Sequence, residues 1–170
     1  MAAFRTALLL ILSICAGIVF AADLPEIPFA TQPSEGLLIG GQPDEAALRQ
    51  AAAAGTRVVV NLRTEGEQVE FDEERLVTEL GMDYFWLPIA GADDLTPENV
   101  QIFDHILATI GDKPVLMHCG SGNRVGALFA LQAGLHRGVE TEAAIELGRV
   151  HGLTKLEDAV RARLEAAAPE

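Results

Sequence analysis

Three short apolar runs most constrain the fold that this chain can adopt. They span residues 57–62, 84–89 and 115–118 and are rich in β-branched, aromatic and other apolar side chains. Continuous apolar runs of this length are typical of strands that are covered on both faces. Segments with helical spacing alternate with these runs. The pattern therefore predicts a three-layer α/β fold, in which helices flank a central, mostly parallel sheet of four to five strands.

The loops after these runs are where a functional site is expected. In an open α/β sheet, ligands bind beyond the carboxyl ends of the strands. Residues 63–68, 90–95 and 119–123 form the loops at that edge. These three loops are therefore the competing candidates for a functional site.

The composition fits one globular domain and excludes one class of partner. The chain has 170 residues, of which 49% are hydrophobic and 22% are charged, so a single sizeable core is expected. Its net charge of −13 at pH 7 argues against nucleic acid as a partner, because phosphate backbones are bound by basic surfaces. A site for an anionic substrate would have to be locally positive.

The N-terminal residues have the layout of a secretory signal. Arg5 precedes an apolar run of 14 residues, and residues 19–21 fit a small-x-small cleavage site. A spanning helix needs about 20 residues, so a cleaved signal is favoured over an uncleaved membrane anchor. The predicted segments are a signal peptide over 1–21, an irregular lead-in over 22–35 and a single domain over 36–170. We expect the mature chain to be exported to the periplasm, without a stable membrane span.

Cys119 becomes the only cysteine once the signal is removed, because Cys15 lies within it. An unpaired thiol is a hazard in an oxidising compartment unless it is buried or has a function. Cys119 follows a buried strand and precedes residues 124–138, whose apolar character nearly all round indicates a buried helix. The positive end of that helix favours a thiolate at this position.

The residues after Cys119 can form a cradle for an oxyanion. Two glycines allow a tight turn that directs successive backbone N–H groups inward. Arg124 can then bind a tetrahedral oxyanion through two hydrogen bonds. The residues predicted to bind phosphate are Gly120, Ser121, Gly122, Asn123 and Arg124.

Each part of this pattern also has an ordinary explanation, since a lone cysteine is usually a small buried apolar residue and a glycine turn is often only a turn. The combination of strand, His118-Cys119, glycine-rich turn, Arg124 and buried helix is much rarer and favours catalysis. It resembles the phosphate-binding loop, or P-loop, of the cysteine-dependent protein tyrosine and dual-specificity phosphatases. The segments "GGQPDEAALRQAAAAGTRVVVNLRTEGE" and "LTPENVQIF" resemble the bacterial beta-lactamase-hydrolase-like phosphatase family, over about residues 35–150.

The resemblance implies a cysteine-phosphatase-like fold and a hydrolase that cleaves phosphomonoesters through a cysteinyl-phosphate. Cys119 would be the nucleophile, and Arg124 with the loop amides would stabilise the oxyanion. The family places a general acid in the loop "GADDL", so Asp94, or with less preference Asp93, would protonate the leaving oxygen. The alternative is that one or both are solvated acids at the start of the helix that begins at Thr96. The partner would be a phosphorylated substrate or another oxyanion.

Three further residues are expected to support the loop. His118 would hydrogen-bond the loop backbone from behind. Arg63 ends a buried strand at the same edge, where it would hold the loop or attract anions, or be an ordinary surface arginine. Gln42 would face the cleft, on the resemblance alone. Neither a cofactor nor a metal is expected, because the histidines at 105, 136 and 151 show no ligand spacing.

Two departures from the phosphatase pattern keep other functions open. Only four residues separate Cys119 from Arg124, one fewer than in the standard phosphatase loop. The shorter spacing also matches rhodanese-type sulfurtransferases, in which the sulfur carries a persulfide. Val125 stands where phosphatases usually have a serine or threonine that helps to release the thiolate. A sulfurtransferase with a persulfide on Cys119 and a non-catalytic oxyanion-binding module are therefore the alternatives. His118 and the "DD" loop favour the phosphatase.

Overall fold

The computed structural model describes residues 25–67 and 69–167. The predicted signal peptide, residues 1–21, lies outside these residues, and export stays a prediction. Within the described residues the chain forms five strands and six α-helices. The strands are β1 (Thr31–Ser34), β2 (Leu37–Gly40), β3 (Val58–Asn61), β4 (Asp83–Trp86) and β5 (Val115–His118).

The strands form one sheet in the order β1-β2-β5-β3-β4. All neighbours run parallel except β1, which pairs antiparallel with β2 at the edge. The central strand is β5, whose His118 is in register with Gly40 of β2 and Asn61 of β3. The predicted α/β fold with four to five mostly parallel strands is confirmed. Because three strands end at one level, the loops that follow them meet at a single edge.

Helices cover both faces of the sheet. They are α1 (Glu45–Ala53), α2 (Glu73–Glu79), α3 (Pro97–Ile110), α4 (Asn123–Arg137), α5 (Thr141–Val150) and α6 (Glu157–Ala167). The first two pack on one face of the sheet, where Leu48 of α1 and Leu116 of β5 belong to the same core cluster. The other four pack on the opposite face, where Met117 and Cys119 belong to the core. Over the described residues, every helix is too short or insufficiently apolar to span a lipid bilayer.

Strand β1 corrects the predicted lead-in. Residues 22–35 are expected to be irregular, yet Thr31–Ser34 pairs with β2, with Thr31 opposite Ile39 and Ser34 opposite Leu37. The β1 side chains are mostly exposed. No apolar pattern therefore marks this strand, which depends on backbone pairing alone.

Strand β4 is shorter than its apolar run. The run over 84–89 predicts a strand to Ile89, but the strand ends at Trp86. Pro88 has no N–H group to donate, which interrupts the ladder. Leu87 and Ile89 still donate to the β3 side, and both are buried. The apolar run therefore continues into the core after its strand has ended.

Helix α4 packs closely against α5 and the turn after it, at Gly126. A Cβ atom there would lie 2.1 Å from the amide nitrogen of Leu153 and 2.6 Å from the carbonyl oxygen of Gly148. We predict that Gly126→Ala lowers the free energy of unfolding by about 3 kcal/mol, because backbone must move to admit the methyl group. Chemical denaturation of wild type and variant measures the difference.

Gly91→Ala provides the matched control for this substitution. Gly91 has an extended φ of −179°, and its added Cβ would meet no described atom within 4 Å. Its free energy of unfolding should therefore change by less than about 0.5 kcal/mol. Equal stabilities of wild type and Gly126→Ala would contradict the close contact between α4 and α5.

Candidate active site

Cys119 lies at the centre of the carboxyl edge of the sheet. It follows β5 directly, and its amide donates to the carbonyl oxygen of Gly40 over 3.3 Å. Its thiol is free, and only 1% of the residue surface is exposed. The sulfur is therefore held at a strand-to-helix junction, at the bottom of any cleft formed by the surrounding loops.

The start of α4 differs from the starts of the preceding helices. Those of α1, α2 and α3 are capped by the side chains of Asp44, Asp72 and Thr96. Among the described residues no side chain caps α4, whose N-cap Gly122 has a left-handed φ of 83° that favours glycine. The first amides of α4 are therefore left for another acceptor, and a helix N-terminus attracts anions.

Most backbone amides of the loop after β5 are also without a hydrogen-bond acceptor among the described residues. The Cys119 amide donates to the sheet, whereas those of residues 120–122 donate to no acceptor in the part of the chain that the structure describes. The side chain of Asn123 is engaged elsewhere, because its Oδ1 accepts the amide hydrogen of Thr154 over 2.8 Å. Asn123 can therefore offer its backbone amide to an anion, together with those of the loop.

Arg124 is held by the carboxylate of Glu67, a residue that was not among the predicted site residues. Its Nη1 and Nη2 donate to Oε1 and Oε2 of Glu67, both over 2.6 Å. Nη1 also donates to the carbonyl oxygen of Ile89 over 2.7 Å. A guanidinium has five N–H groups, so these three bonds leave the Nε–H and one N–H of Nη2. That remaining pair is the fork that can bind a tetrahedral oxyanion, and Glu67 fixes its orientation.

The pairing of Glu67 with Arg124 shifts both pKa values. The hydrogen bond from Arg124 lowers the pKa of Glu67 to about 2. The hydrogen bond to Glu67, and then the nearby Cys119 sulfur, raise the pKa of Arg124 above its ordinary value. Both groups are therefore charged at neutral pH, and a permanent positive charge lies beside the sulfur. The Glu67 carboxylate offsets this charge, so an anionic ligand would be bound through the free N–H groups of Arg124 and the loop amides.

We predict that Glu67→Gln lowers the free energy of unfolding by about 1 kcal/mol at neutral pH, since partial exposure of Glu67 screens the pair. The folded pKa lies below the ordinary 4.5, so the contribution is complete above that pH and is lost as pH falls towards 2. Wild type should lose stability more steeply than the variant across this window, as measured by urea denaturation. Parallel pH curves would contradict the ion pair.

His118 is completely buried behind the loop. Its Nε2 lies 2.6 Å from Oε1 of Glu73, which is the first residue of α2 and is itself 6% exposed. Its Nδ1 is buried without a partner among the described residues. The expected hydrogen bond to the loop backbone is therefore not formed in the described chain. Alternation along β5 explains this, because His118 faces α1 and α2 while Cys119 belongs to the opposite core.

Gln42 and Arg63 meet the same network. Arg63 donates from Nη1 to Oε1 of Gln42, and Gln42 donates from Nε2 to Oε2 of Glu73 over 2.9 Å. Through Glu73, a chain of polar contacts reaches His118. The Nε of Arg63 also lies 3.6 Å from Oε2 of Glu67. The structure thus brings both predicted support residues to the two glutamates that hold His118 and the loop arginine.

A cavity of about 470 Å³ opens beside this network. Tyr84 and Trp86 give it aromatic walls, and it shares Gln42 and Glu67 with the site. Burial raises the pKa of Tyr84 to about 12, so its hydroxyl stays a hydrogen-bond donor at neutral pH. Neither Cys119 nor Arg124 lines this cavity, which adjoins the site only through residues such as Glu67 and Gln42.

Asp93 and Asp94 lie in a single 3₁₀ turn between β4 and α3. Asp94 is half-buried, and its Oδ2 accepts the amide hydrogen of Ala90 over 2.6 Å, whereas Asp93 is exposed. The loop begins next to Ile89, the residue whose carbonyl oxygen binds Arg124. Both candidate acids are therefore on a loop that contacts the site, and Asp94 has the more fixed carboxylate. Over residues 25–67 and 69–167, no three side chains of metal-binding type cluster closely enough to hold an ion.

Glu67 and Glu73 are the two site residues that sequence patterns did not reveal. Glu67 left a signal, because it lies in one of the three edge loops and a partly buried guanidinium needs an acceptor. No sequence pattern pointed to Glu73, because its partner His118 is 45 residues away in the sequence. Two carboxylates thus hold the residues at the two ends of the loop, Glu73 through His118 and Glu67 through Arg124.

Comparisons with known proteins agree with this geometry. The family model for the phosphatase-like domain of beta-lactamase hydrolase-like proteins matches residues 31–135. The beta-lactamase hydrolase-like protein of Xylella fastidiosa (strain Temecula1) is 31% identical over 123 residues, which are 70% of this chain and 28% of that protein. The chain therefore spans less than a third of the length of this relative. The resemblance identified from the sequence is confirmed.

Two crystal structures show the same fold. The DUF442 protein of Shewanella putrefaciens is 24% identical, with a TM-score of 0.63, and the match covers 84% of this chain and 95% of that one. TpbA of P. aeruginosa, solved as a Cys-to-Ser variant in complex with pTyr, is 20% identical, with a TM-score of 0.60 and coverage of 82% and 90%. The fold of this chain is therefore one that cysteine phosphatases also use.

Proposed function

Because this chain belongs to the beta-lactamase hydrolase-like phosphatase family, we propose that it is a cysteine-dependent phosphatase of the tyrosine or dual-specificity type. One observation carries the proposal. The buried sulfur of Cys119 lies beside a guanidinium whose free N–H groups, with the unpaired loop amides, can bind the oxygens of a phosphoryl group. Phosphotyrosine, which TpbA binds, is the first substrate to test.

The chemistry proceeds in two displacements. The Cys119 thiolate attacks phosphorus, an S–P bond forms, and the P–O bond to the organic group breaks. An aspartic acid gives its proton to the leaving oxygen. Water then attacks phosphorus, the same aspartate takes up a proton, and the S–P bond breaks to release inorganic phosphate and the thiolate. Arg124 and the loop amides stabilise the oxyanion throughout.

We propose Asp94 as the general acid. One of its carboxylate oxygens is held by the Ala90 amide, so its direction is fixed, while Asp93 is exposed. Asp94→Asn should lower kcat/KM for phenyl phosphate about 100-fold, and that for 2,4-dinitrophenyl phosphate much less, because a good leaving group needs no proton. Asp93→Asn is the matched neighbour, with a smaller expected effect. If only Asp93→Asn shows the leaving-group dependence, the assignment moves to Asp93.

Val125 affects the second displacement. Its side chain is completely buried in the core on the α3–α6 face, and it provides no hydroxyl group near the sulfur. The corresponding hydroxyl in related phosphatases helps to release the thiolate. Breakdown of the cysteinyl-phosphate is therefore expected to be slower than its formation, which places the limit on kcat rather than on kcat/KM.

A sulfurtransferase is the second candidate, favoured by the four-residue spacing between Cys119 and Arg124. Purified protein assayed on p-nitrophenyl phosphate, and separately on thiosulfate with cyanide, distinguishes the two, with Cys119→Ser as the control. Phosphate release that depends on Cys119 supports the phosphatase. Thiocyanate formation without phosphate release would replace it with the sulfurtransferase, and neither reaction would favour a non-catalytic oxyanion-binding module.

A further inference from the structure

Helix α6 reaches the loop that contains the two candidate acids. Its Arg163 donates from Nη2 to the carbonyl oxygen of Ala92, across 71 residues of sequence. Ala92 is the first residue of the 3₁₀ turn that ends at Asp94. Arg163 is half-buried, and its Nε is buried without a partner among the described residues. A C-terminal helix is therefore tied directly to the loop of the proposed general acid.

Charge pairing does not explain this contact. Arg149 and Arg161, on α5 and α6, each form ion pairs with glutamates, Arg149 with Glu157 and Arg161 with Glu142. Arg163 forms no ion pair within the described residues, although the chain has 25 acidic residues. Its polar contact is instead with a backbone carbonyl oxygen. A half-buried guanidinium that binds a loop backbone constrains the position of that loop more than it contributes surface charge.

Residues 90–95, which we call the acid loop, make few other long-range hydrogen bonds to the residues that the structure describes. Within the loop, Asp94 donates its amide to the Gly91 carbonyl oxygen and Leu95 donates to Ala92, each over 3.2 Å. At its start, Ile89 accepts from Arg124. The loop is thus attached to the nucleophile loop at one point and to α6 at another. Besides Arg163, the turn is held by the Asn99 side chain, which donates to the Asp94 carbonyl oxygen over 2.7 Å, and by Leu95, which is buried in the core. Loss of the contact with α6 would free the start of the turn at Ala92, since local hydrogen bonds open more readily than a packed core.

The α5–α6 connection also contacts the nucleophile loop. Asn123 accepts the amide hydrogen of Thr154, and a Cβ at Gly152 would lie 3.1 Å from the Gly122 carbonyl oxygen. The family model ends at residue 135, so α5 and α6 lie beyond the matched segment. These two helices therefore contact both loops of the site from outside the segment that defines the family.

We propose that Arg163 is a positioning residue that holds the loop of residues 90–95 so that its aspartate reaches the leaving oxygen. The inference depends on the proposed phosphatase function. A misplaced acid slows only those reactions that need proton transfer to the leaving group. The effect of Arg163 should therefore depend on the leaving group, which a general loss of structure would not produce.

The test compares kcat/KM for phenyl phosphate and 2,4-dinitrophenyl phosphate, because this ratio reports formation of the cysteinyl-phosphate and is independent of its slow breakdown. Arg163→Ala should lower kcat/KM for phenyl phosphate about 10-fold to 100-fold and change that for 2,4-dinitrophenyl phosphate by less than about 2-fold. Arg163→Lys should recover part of the loss, because an ammonium group also donates to a carbonyl oxygen. Arg161→Ala, on the same helix, should change neither value.

Several outcomes would overturn the inference. Equal losses on both substrates, or no loss on either, would remove the positioning role of Arg163. Should Arg163→Ala not fold, Arg163→Lys and Arg163→Gln carry the same comparison. If Asp94→Asn or Asp93→Asn shows leaving-group dependence and no Arg163 variant does, only this inference fails. If wild type hydrolyses neither substrate, or Cys119→Ser retains full activity, the proposed phosphatase function fails with it.

Discussion

Cys119→Ser is expected to reduce phosphate release by at least about 1000-fold, to the uncatalysed background. A serine hydroxyl is not ionised at neutral pH, and within the described chain no side chain is hydrogen-bonded to this position as a general base, so the first displacement loses its nucleophile. The substitution replaces a 1% exposed sulfur by a smaller oxygen, so the loop and Arg124 should stay in place. Steady-state assay of phosphate release gives the loss, and calorimetric titration with inorganic phosphate gives oxyanion affinity.

Oxyanion affinity is the control within the same variant. It should change by less than about 3-fold, because the loop amides and Arg124 bind the anion without the sulfur. An unchanged thermal unfolding temperature would show that the variant is folded. Phosphate release that persists in Cys119→Ser would contradict the covalent mechanism, whatever the binding data show.

Arg124→Lys should lower kcat/KM about 100-fold to 1000-fold, although the positive charge is kept. An ammonium group is a point donor, whereas the guanidinium binds Glu67 with one pair of N–H groups and keeps another pair for the oxyanion. Lysine cannot serve both partners in a fixed orientation, and loss of one oxyanion donor costs about this factor. Kinetics on phenyl phosphate, with inhibition by inorganic phosphate, separate turnover from binding.

A surface arginine provides the matched control. Arg75 pairs with Glu79 over 2.8 Å, and both side chains are mostly exposed, so Arg75→Lys should leave kcat/KM within about 2-fold of wild type. If Arg124→Lys behaves like Arg75→Lys, the site needs only a positive charge. The proposal that the Arg124 guanidinium binds Glu67 and the oxyanion at the same time would then be rejected.

The fold could be predicted because apolar runs and helical spacing reflect burial, and the central strands of this sheet are buried. Runs at residues 57–62 and 115–118 became β3 and β5, in which every residue is buried. Strand β1 had no such pattern, because an exposed edge strand is selected by backbone pairing. The end of β4 at Trp86 depended on Pro88, which breaks a ladder while leaving the following residues in the core.

The site was predictable where its residues are contiguous. Cys119, the loop and Arg124 are consecutive, so their chemistry could be read from spacing and from the strand-to-helix change. The groups that hold them were not predictable, because His118 meets Glu73 across 45 residues and Arg124 meets Glu67 across 57. Such contacts depend on which strands are neighbours in the sheet, and the sequence patterns did not predict that order.

Glu67 and Glu73 have a consequence for how related sequences can vary. Glu67 binds Arg124 and Glu73 binds His118. His118 is the last residue of β5 and Arg124 lies in the first turn of α4, so both partners are fixed in position. The segment between the two glutamates therefore joins two fixed points, and we expect its length to resist insertion and deletion. Among homologues, we expect each glutamate to be retained or lost together with its own partner, as two separate covarying pairs.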